Sequence, residues 1–228
     1  MGNKVNPIGL RIGINKDWKS RWFGVPGRYK GALRGDILLR EYLTKRLRGM
    51  YVGGVEIERN EKTFRLIIRT SRPGMLIGRS GEGSVKLRAD IMKMAQRAGI
   101  EFPKDFRLDI EEIKSPESNS LIVGQMIAEG LEKRLPFRMV LKQTMEKVMA
   151  NKEVRGAKLG LSGRLGGAEM SRSEVLKRGG IPLQTFRSDI DFARVNAYLP
   201  YGVVGIKVWI YKGDVFEKDA EKNTQPQS

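Results

Sequence analysis

The chain has 228 residues, with 43 Lys and Arg against 26 Asp and Glu, a formal net charge of +17, and neither Cys nor His. A surplus of that size calls for a polyanionic partner, RNA ahead of an anionic membrane surface. The missing residue types exclude disulfides, thiolate zinc sites, cysteine nucleophiles and Ser-His-Asp triads.

With 40% hydrophobic residues the chain can bury a core. No apolar run approaches the roughly 20 residues of a membrane helix. The opening stretch MGNKVNPIGLRIGI lacks the apolar segment of a signal peptide, so a soluble, cytoplasmic protein is expected. Neither a complete nucleotide-binding loop nor a carboxylate cluster for a metal is present, so no cofactor, no metal and no catalytic residue is expected.

Residues 1–16 read as a basic arm. Through residue 34 the charge is Lys and Arg with Asp17 alone opposing, and Trp18, Trp22, Phe23 and Tyr29 sit among the cations. Basic and aromatic residues interleaved in this way suit RNA, and Lys4 and Arg11 are the candidate contacts. Ile37, Leu38, Tyr42, Leu43 and Leu47 predict a helix over 36–47. Alternation predicts strands over 55–58 and 64–70, joined by a polar turn. A glycine-rich loop, Gly74-Met-Leu-Ile-Gly-Arg-Ser-Gly-Glu-Gly83, follows. Leu87, Ile91, Met94, Ala95 and Ala98 then form one face of a helix closed by Gly99, and 106–110 read as a strand. Ser115 to Ser120 break the pattern.

Helices are predicted over 121–135 and from Pro136, where Phe137, Val140, Leu141, Thr144, Met145 and Val148 recur on one face. Strands are predicted over 157–162, 192–199 and 204–211, with a Gly/Ser/Arg-rich connection over 163–180. Residues 214–228 read as a mobile polar tail.

The glycine loop fits neither nucleotide motif. Gly74 to Ser80 is one residue short of a phosphate-binding NTPase loop and has Arg79 where Lys is needed. Gly78, Gly81 and Gly83 give GxxGxG rather than the dinucleotide GxGxxG. What remains is Gly78-Arg79-Ser80-Gly81, a GxxG turn that lets a nucleic-acid backbone come close, with Arg79 as the charge. This resembles the loop of KH domains, and helix, strand, strand, helix-loop-helix, strand is similar to the type II KH order. Ser84 departs from the pattern, which places an apolar residue there.

The more specific resemblance lies downstream. Leu161 to Glu174, LSGRLGGAEMSRSE, with Gly180 to Thr185 and Tyr201 to Gly213, resembles the family of ribosomal protein S-three of the small subunit, and MGNKVNPIGLRIGI resembles its bacterial start. The resemblance covers residues 1–213. It implies an α+β architecture: a type II KH fold within 17–110, then a C-terminal α+β domain over 111–213 with two helices on a mostly antiparallel sheet. It also implies a non-enzymatic role in translation. The expected partners are small-subunit rRNA in the head, small-subunit proteins ten and fourteen, and mRNA where it enters the particle, beside proteins four and five. The family's mRNA segment is of Phe-Arg-Arg-Ala-Met-Lys-Arg type. Here Phe137 to Gln143 retains Arg138 and Lys142, while Met139 and Gln143 replace two cations.

On the residues alone, Arg138 and Lys142 share a helix face turned away from Phe137, Leu141 and Met145, which is equally the pattern of a solvated face. Gly163, Gly166 and Gly167 fit a turn and bulge first, with Arg164 and Arg172 as candidate rRNA phosphate contacts. A KH-containing GTPase or nuclease and a free-standing RNA-binding regulator are the rival classes.

Overall fold

In the computed structural model, Asn6 accepts a hydrogen bond from the Ile8 amide at 3.0 Å, and Pro7 opens the short helix α1, Pro7–Arg11. Side-chain capping and a proline at the start of a helix satisfy donors that would otherwise be left over. The structure describes residues 4–60, 62–100, 103 and 105–216. The chain divides into two compact units, one formed by 19–114 and one by 1–18 together with 115–228.

Within 19–114, β1 (Ser20–Arg21) leads to α2 (Pro26–Arg46), β2 (Val52–Arg59) and β3 (Thr63–Thr70). The short α3 (Pro73–Ile77), α4 (Glu82–Ala98) and β4 (Asp105–Glu112) complete the unit. The sheet runs β1-β2-β3-β4. β2 and β3 are antiparallel, while β1 lies parallel to β2 and β4 parallel to β3. Leu39 and Leu43 of α2 and Leu87 and Ile91 of α4 pack with Phe64, Leu66, Ile68 and Phe106 into one core. The Phe64 and Phe106 rings stack with centres 5.7 Å apart.

α2 begins ten residues before the predicted helix. Its first turns bury almost nothing, so they carry no apolar period; only Gly35, Asp36, Leu39 and Leu43 are buried along it. β4 stays paired with β3 through Thr70 and Glu112, and the Ile113 amide donates to Thr70 O at 2.9 Å. The boundary predicted at 110/111 therefore moves past residue 113.

In the other unit, α5 (Ser120–Glu132) and α6 (Phe137–Ala150) precede β5 (Gly156–Gly163), β6 (Arg172–Gly179), β7 (Ser188–Leu199) and β8 (Gly202–Asp214). The sheet order is β6-β5-β8-β7, antiparallel throughout. Asn119 caps α5 by accepting from the Leu121 and Ile122 amides at 3.0 and 3.2 Å. Ile127, Leu131, Leu141, Met145 and Val148 meet Leu159, Leu161, Ile206 and Val208 in the core. Gly124 lets α5 lie close on the sheet, since a Cβ there would stand 2.6 Å from a Val195 methyl.

Three expectations change here. β6 occupies part of the connection predicted over 163–180; it is an edge strand, largely exposed on both faces, so no alternation marks it. The tail predicted from 214 begins later. Asp214 ends β8 and accepts from Ser188 Oγ and Tyr211 Oη at 2.7 and 2.9 Å, while the Val215 amide donates to Arg187 O at 2.9 Å. The rest of that expectation, 217–228, lies outside the described residues.

Finally, residues 4–16 are no separate arm but part of the unit with 115–228. Asn15 Nδ2 donates to Phe186 O at 3.2 Å, and Lys16 pairs with Asp189 at 2.6 Å.

Candidate nucleic-acid interface

The GxxG turn joins α3 to α4. Gly78 has φ 69 and ψ −175, a region open essentially to glycine, and Gly81 has φ 80. Ser80 is left-handed at φ 52. Arg79 and Ser80 stand exposed at the tip. Gly83 fixes the junction, because a Cβ there would lie 2.4 Å from Leu76 O and 2.9 Å from Ile77 O. Ser84 Oγ donates to Gly81 O at 2.7 Å, so its departure from the apolar pattern serves the turn itself. Beside it Val85 is 68% exposed.

A second cluster forms at the start of α6. Arg138 and Arg172, assigned to different RNAs on sequence, converge on one spot. Their guanidinium carbons lie 5.6 and 5.5 Å from the Phe137 ring centre, and both approach Glu174, at 3.3 and 4.0 Å. Arg138 thus folds over Phe137 instead of turning away from it, yet its side chain stays 70% exposed. Lys142 is exposed one turn along α6. Glu174 was not expected; it carries one negative charge between two cations and leaves the cluster positive.

Arg164 mainly braces its own turn. Its Nε donates to Ala168 O at 2.9 Å and its Nη1 to Tyr201 O at 3.2 Å. Gly166 and Gly167 take φ 69 and 81, which supports the turn reading of this segment. Lys4 is exposed, and its charge acts on Lys158.

Arg11 corrects the sequence reading. It is 0% exposed. Its Nε donates to Ser188 O at 2.6 Å and its Nη1 to Pro7 O at 3.0 Å. Its Nη2 faces Pro182, Leu183 and Thr185 carbonyls at 3.3, 3.0 and 2.8 Å. Burial lowers its pKa, and Asp189 partly opposes the shift. A guanidinium with its donors spent on the backbone has none left for RNA, so Arg11 is structural.

The two halves of the chain match two known families. A KH-domain profile matches residues 38–118, and one described as ribosomal protein S3, C-terminal domain, matches 127–210. Small ribosomal subunit protein uS3 of Caldicellulosiruptor saccharolyticus is 44% identical over 215 residues, covering 94% of each chain. The protein of the same name from Coxiella burnetii is 40% identical over 94% of this chain and 91% of its own. That of Dinoroseobacter shibae is 39% identical over 97% and 89%.

The chain belongs to the uS3 family of small ribosomal subunit proteins.

Membership in the uS3 family makes it an RNA-binding constituent of the small subunit and not an enzyme. Among the described residues no group of acidic side chains is disposed to hold a metal ion, and no helix is long and apolar enough to cross a membrane.

The GxxG tip of this uS3 protein presents Arg79 and Ser80 to solvent. Replacing Arg79 and Ser80 with Asp in the full chain is expected to weaken binding of a short single-stranded RNA about tenfold. Fluorescence anisotropy checks this; unchanged affinity would assign the turn a purely structural role.

Proposed function

We propose that this protein binds small-subunit rRNA in the head of the cytoplasmic small subunit and lines the channel through which mRNA enters, holding strands that have come apart. The convergence of Arg138, Arg172 and Phe137 at the start of α6, with Lys142 one turn on, carries the reading for mRNA. Exposed cations gathered at one helix start suit a single-stranded backbone, which they stabilise once a duplex opens. Captured single strand cannot re-pair, so the opening is biased without any catalytic step in this chain. Forward motion comes from the translating particle.

Membership in the uS3 family supports the remaining assignments, which are proposals of the same standing. Small-subunit proteins ten and fourteen are the neighbours on the head side, and proteins four and five lie near the incoming mRNA. With Met139 and Gln143 in place of two cations, the channel wall is less charged than the family's basic segment implies.

The test uses reconstituted subunits translating an mRNA with a stable hairpin. Arg138→Gln with Lys142→Gln is expected to slow passage through the hairpin about three- to tenfold, as two exposed phosphate contacts are lost. Translation of an unstructured message should be unaffected. Equal hairpin rates for variant and wild type would remove this face from the mRNA path.

A further inference from the structure

Each unit has a four-stranded sheet with one face turned away from its long helices, and the two faces are built on opposite electrostatic plans. On the 19–114 sheet, cations and carboxylates alternate. Arg21 pairs with Glu56 and Glu58, both at 2.8 Å, and Arg69 with Glu56 and Glu111 at 2.7 and 2.9 Å. Arg65 bonds Asp109 and approaches Glu58. This face neutralises itself and offers little to a polyanion.

The β6-β5-β8-β7 sheet has no such lattice. Side chains alternate across a strand, so register fixes which residues share a face. Leu159, Leu161, Ile206 and Val208 face the helices, which turns Lys158, Gly160 and Ser162 of β5 and Lys207 and Trp209 of β8 to the other side. Lys177 pairs directly with Lys158 across β6 and β5, and Arg194 directly with Lys207 across β7 and β8.

Like charges placed opposite each other destabilise a sheet. Here two such pairs occur together, and among the described residues none of the four cations has a carboxylate partner. Lys158 registers the crowding: burial, then Lys4 and Lys177, lower its pKa. The two strand carboxylates nearby are spent on the helix side. Asp191 accepts from the Ser120 amide at 2.8 Å, and Glu174 pairs with Arg138.

We propose that the face of the C-terminal sheet turned away from α5 and α6 is a second RNA surface, binding the phosphate backbone of an rRNA duplex through Lys158, Lys177, Lys207 and Arg194. The proposal rests on the rRNA-binding function above and names the surface that carries part of it. The charge pattern selects a polyanion, because only an external negative charge relieves both repulsive pairs. Ser162 and Gly205 carry little bulk on this face, so a sugar-phosphate backbone can approach there. Duplex is favoured over single strand because the aromatic surface needed for base stacking is covered. Lys158 Nζ lies 4.9 Å above the Trp209 ring, Arg194 lies 5.5 Å from the Phe192 ring, and Phe192 is buried. Lys4 extends the same positive field. A duplex read by backbone and shape needs no base contact.

The test compares full-length wild type with Lys177→Gln/Arg194→Gln/Lys207→Gln. The control variant, Lys45→Gln/Lys93→Gln/Arg97→Gln, removes the same charge from α2 and α4. The probes are a transcript of the whole small-subunit rRNA and a 12-nucleotide oligouridylate, titrated between 0.1 and 1 M salt. On the transcript, loss of three duplex contacts should flatten the log–log salt dependence by about 2–3 and weaken binding about 100-fold near 0.1 M, converging with wild type towards 1 M. The control should lose far less, and oligouridylate binding should change little for the sheet variant.

Relief of the cross-strand repulsion should also raise the melting midpoint of this unit by about 2–4 °C, which separates lost contacts from lost folding. Affinity like that of wild type, or a loss no greater than the control's, overturns the proposal. So does a loss confined to oligouridylate, or intact rRNA binding with failed incorporation into subunits, which would mark a protein-docking face. Failure of the wild type itself to bind the transcript would count against the rRNA-binding function instead.

Discussion

Gly83→Ala lowers the stability of the 19–114 unit by about 3 kcal/mol and its melting midpoint by roughly 12–24 °C. A Cβ at this position stands 2.4 Å from Leu76 O and 2.9 Å from Ile77 O, so two backbone carbonyls, not flexible side-chain ends, must move. The only relief is to push α3 away from α4, which opens the GxxG turn between them. RNA binding through Arg79 and Ser80 should fall with stability. Gly74→Ala is the matched comparison, because a Cβ there meets nothing within 4 Å. Inside α3 that change is neutral or stabilising by up to about 1 kcal/mol. Thermal unfolding of the full chain followed through Trp22, which donates to Asp36 at 2.8 Å inside this unit, reads both variants. Equal midpoints for the two would show that the junction tolerates the methyl group.

Arg11→Ala is expected to cost the other unit about 4 kcal/mol, since buried hydrogen bonds to a charged donor are each worth roughly 1.5–3 kcal/mol and do not add fully. Removal of the guanidinium takes the Arg11 donor from the carbonyls of Pro182 and Leu183, and leaves those of Thr185 and Ser188 with only the longer bonds from Ser188 N–H at 3.4 Å and Asn15 Nδ2 at 3.3 Å. Arg11→Lys should recover less than half, because one ammonium cannot span acceptors held by a planar fork. Urea unfolding with Trp209 as the reporter, in a background where Trp18 and Trp22 are Phe, measures both. Hydrogen exchange at residues 5–16 should rise in parallel as the N-terminal segment detaches. Stability of Arg11→Ala within about 1 kcal/mol of the parent would show that the clamp is dispensable.

These two residues show where sequence reading ends. Gly83 belongs to a run of glycines, and spacing alone favoured Gly78 and Gly81 as the working pair. Both take glycine-type backbone angles in the turn, but the close approach of α3 to α4 singles out Gly83, and a contact across seven residues of turning chain leaves no local periodicity. Arg11 sits among exposed cations and reads as one of them. Its burial depends on carbonyls more than 170 residues away. Nothing in the composition around Arg11 encodes that distance. Arg138 and Arg172 are similar: they sit on different elements, and only the pairing of β5 with β6 brings Glu174 and Arg172 beside α6.

The sequence alone pointed to a polyanionic partner, RNA ahead of an anionic membrane surface, through a net charge of +17. It also determined the strongly amphipathic elements, the GxxG turn and the ribosomal family, because composition, short-range period and contiguous motifs are properties of neighbouring residues. The tertiary structure decided which cations are free. The two sheets ended with different open faces, one laced with ion pairs and one with Lys158 opposite Lys177 and Arg194 opposite Lys207. The physical reason is register: whether a cation finds a carboxylate is set by the strand that lies beside it, and that pairing is made by folding.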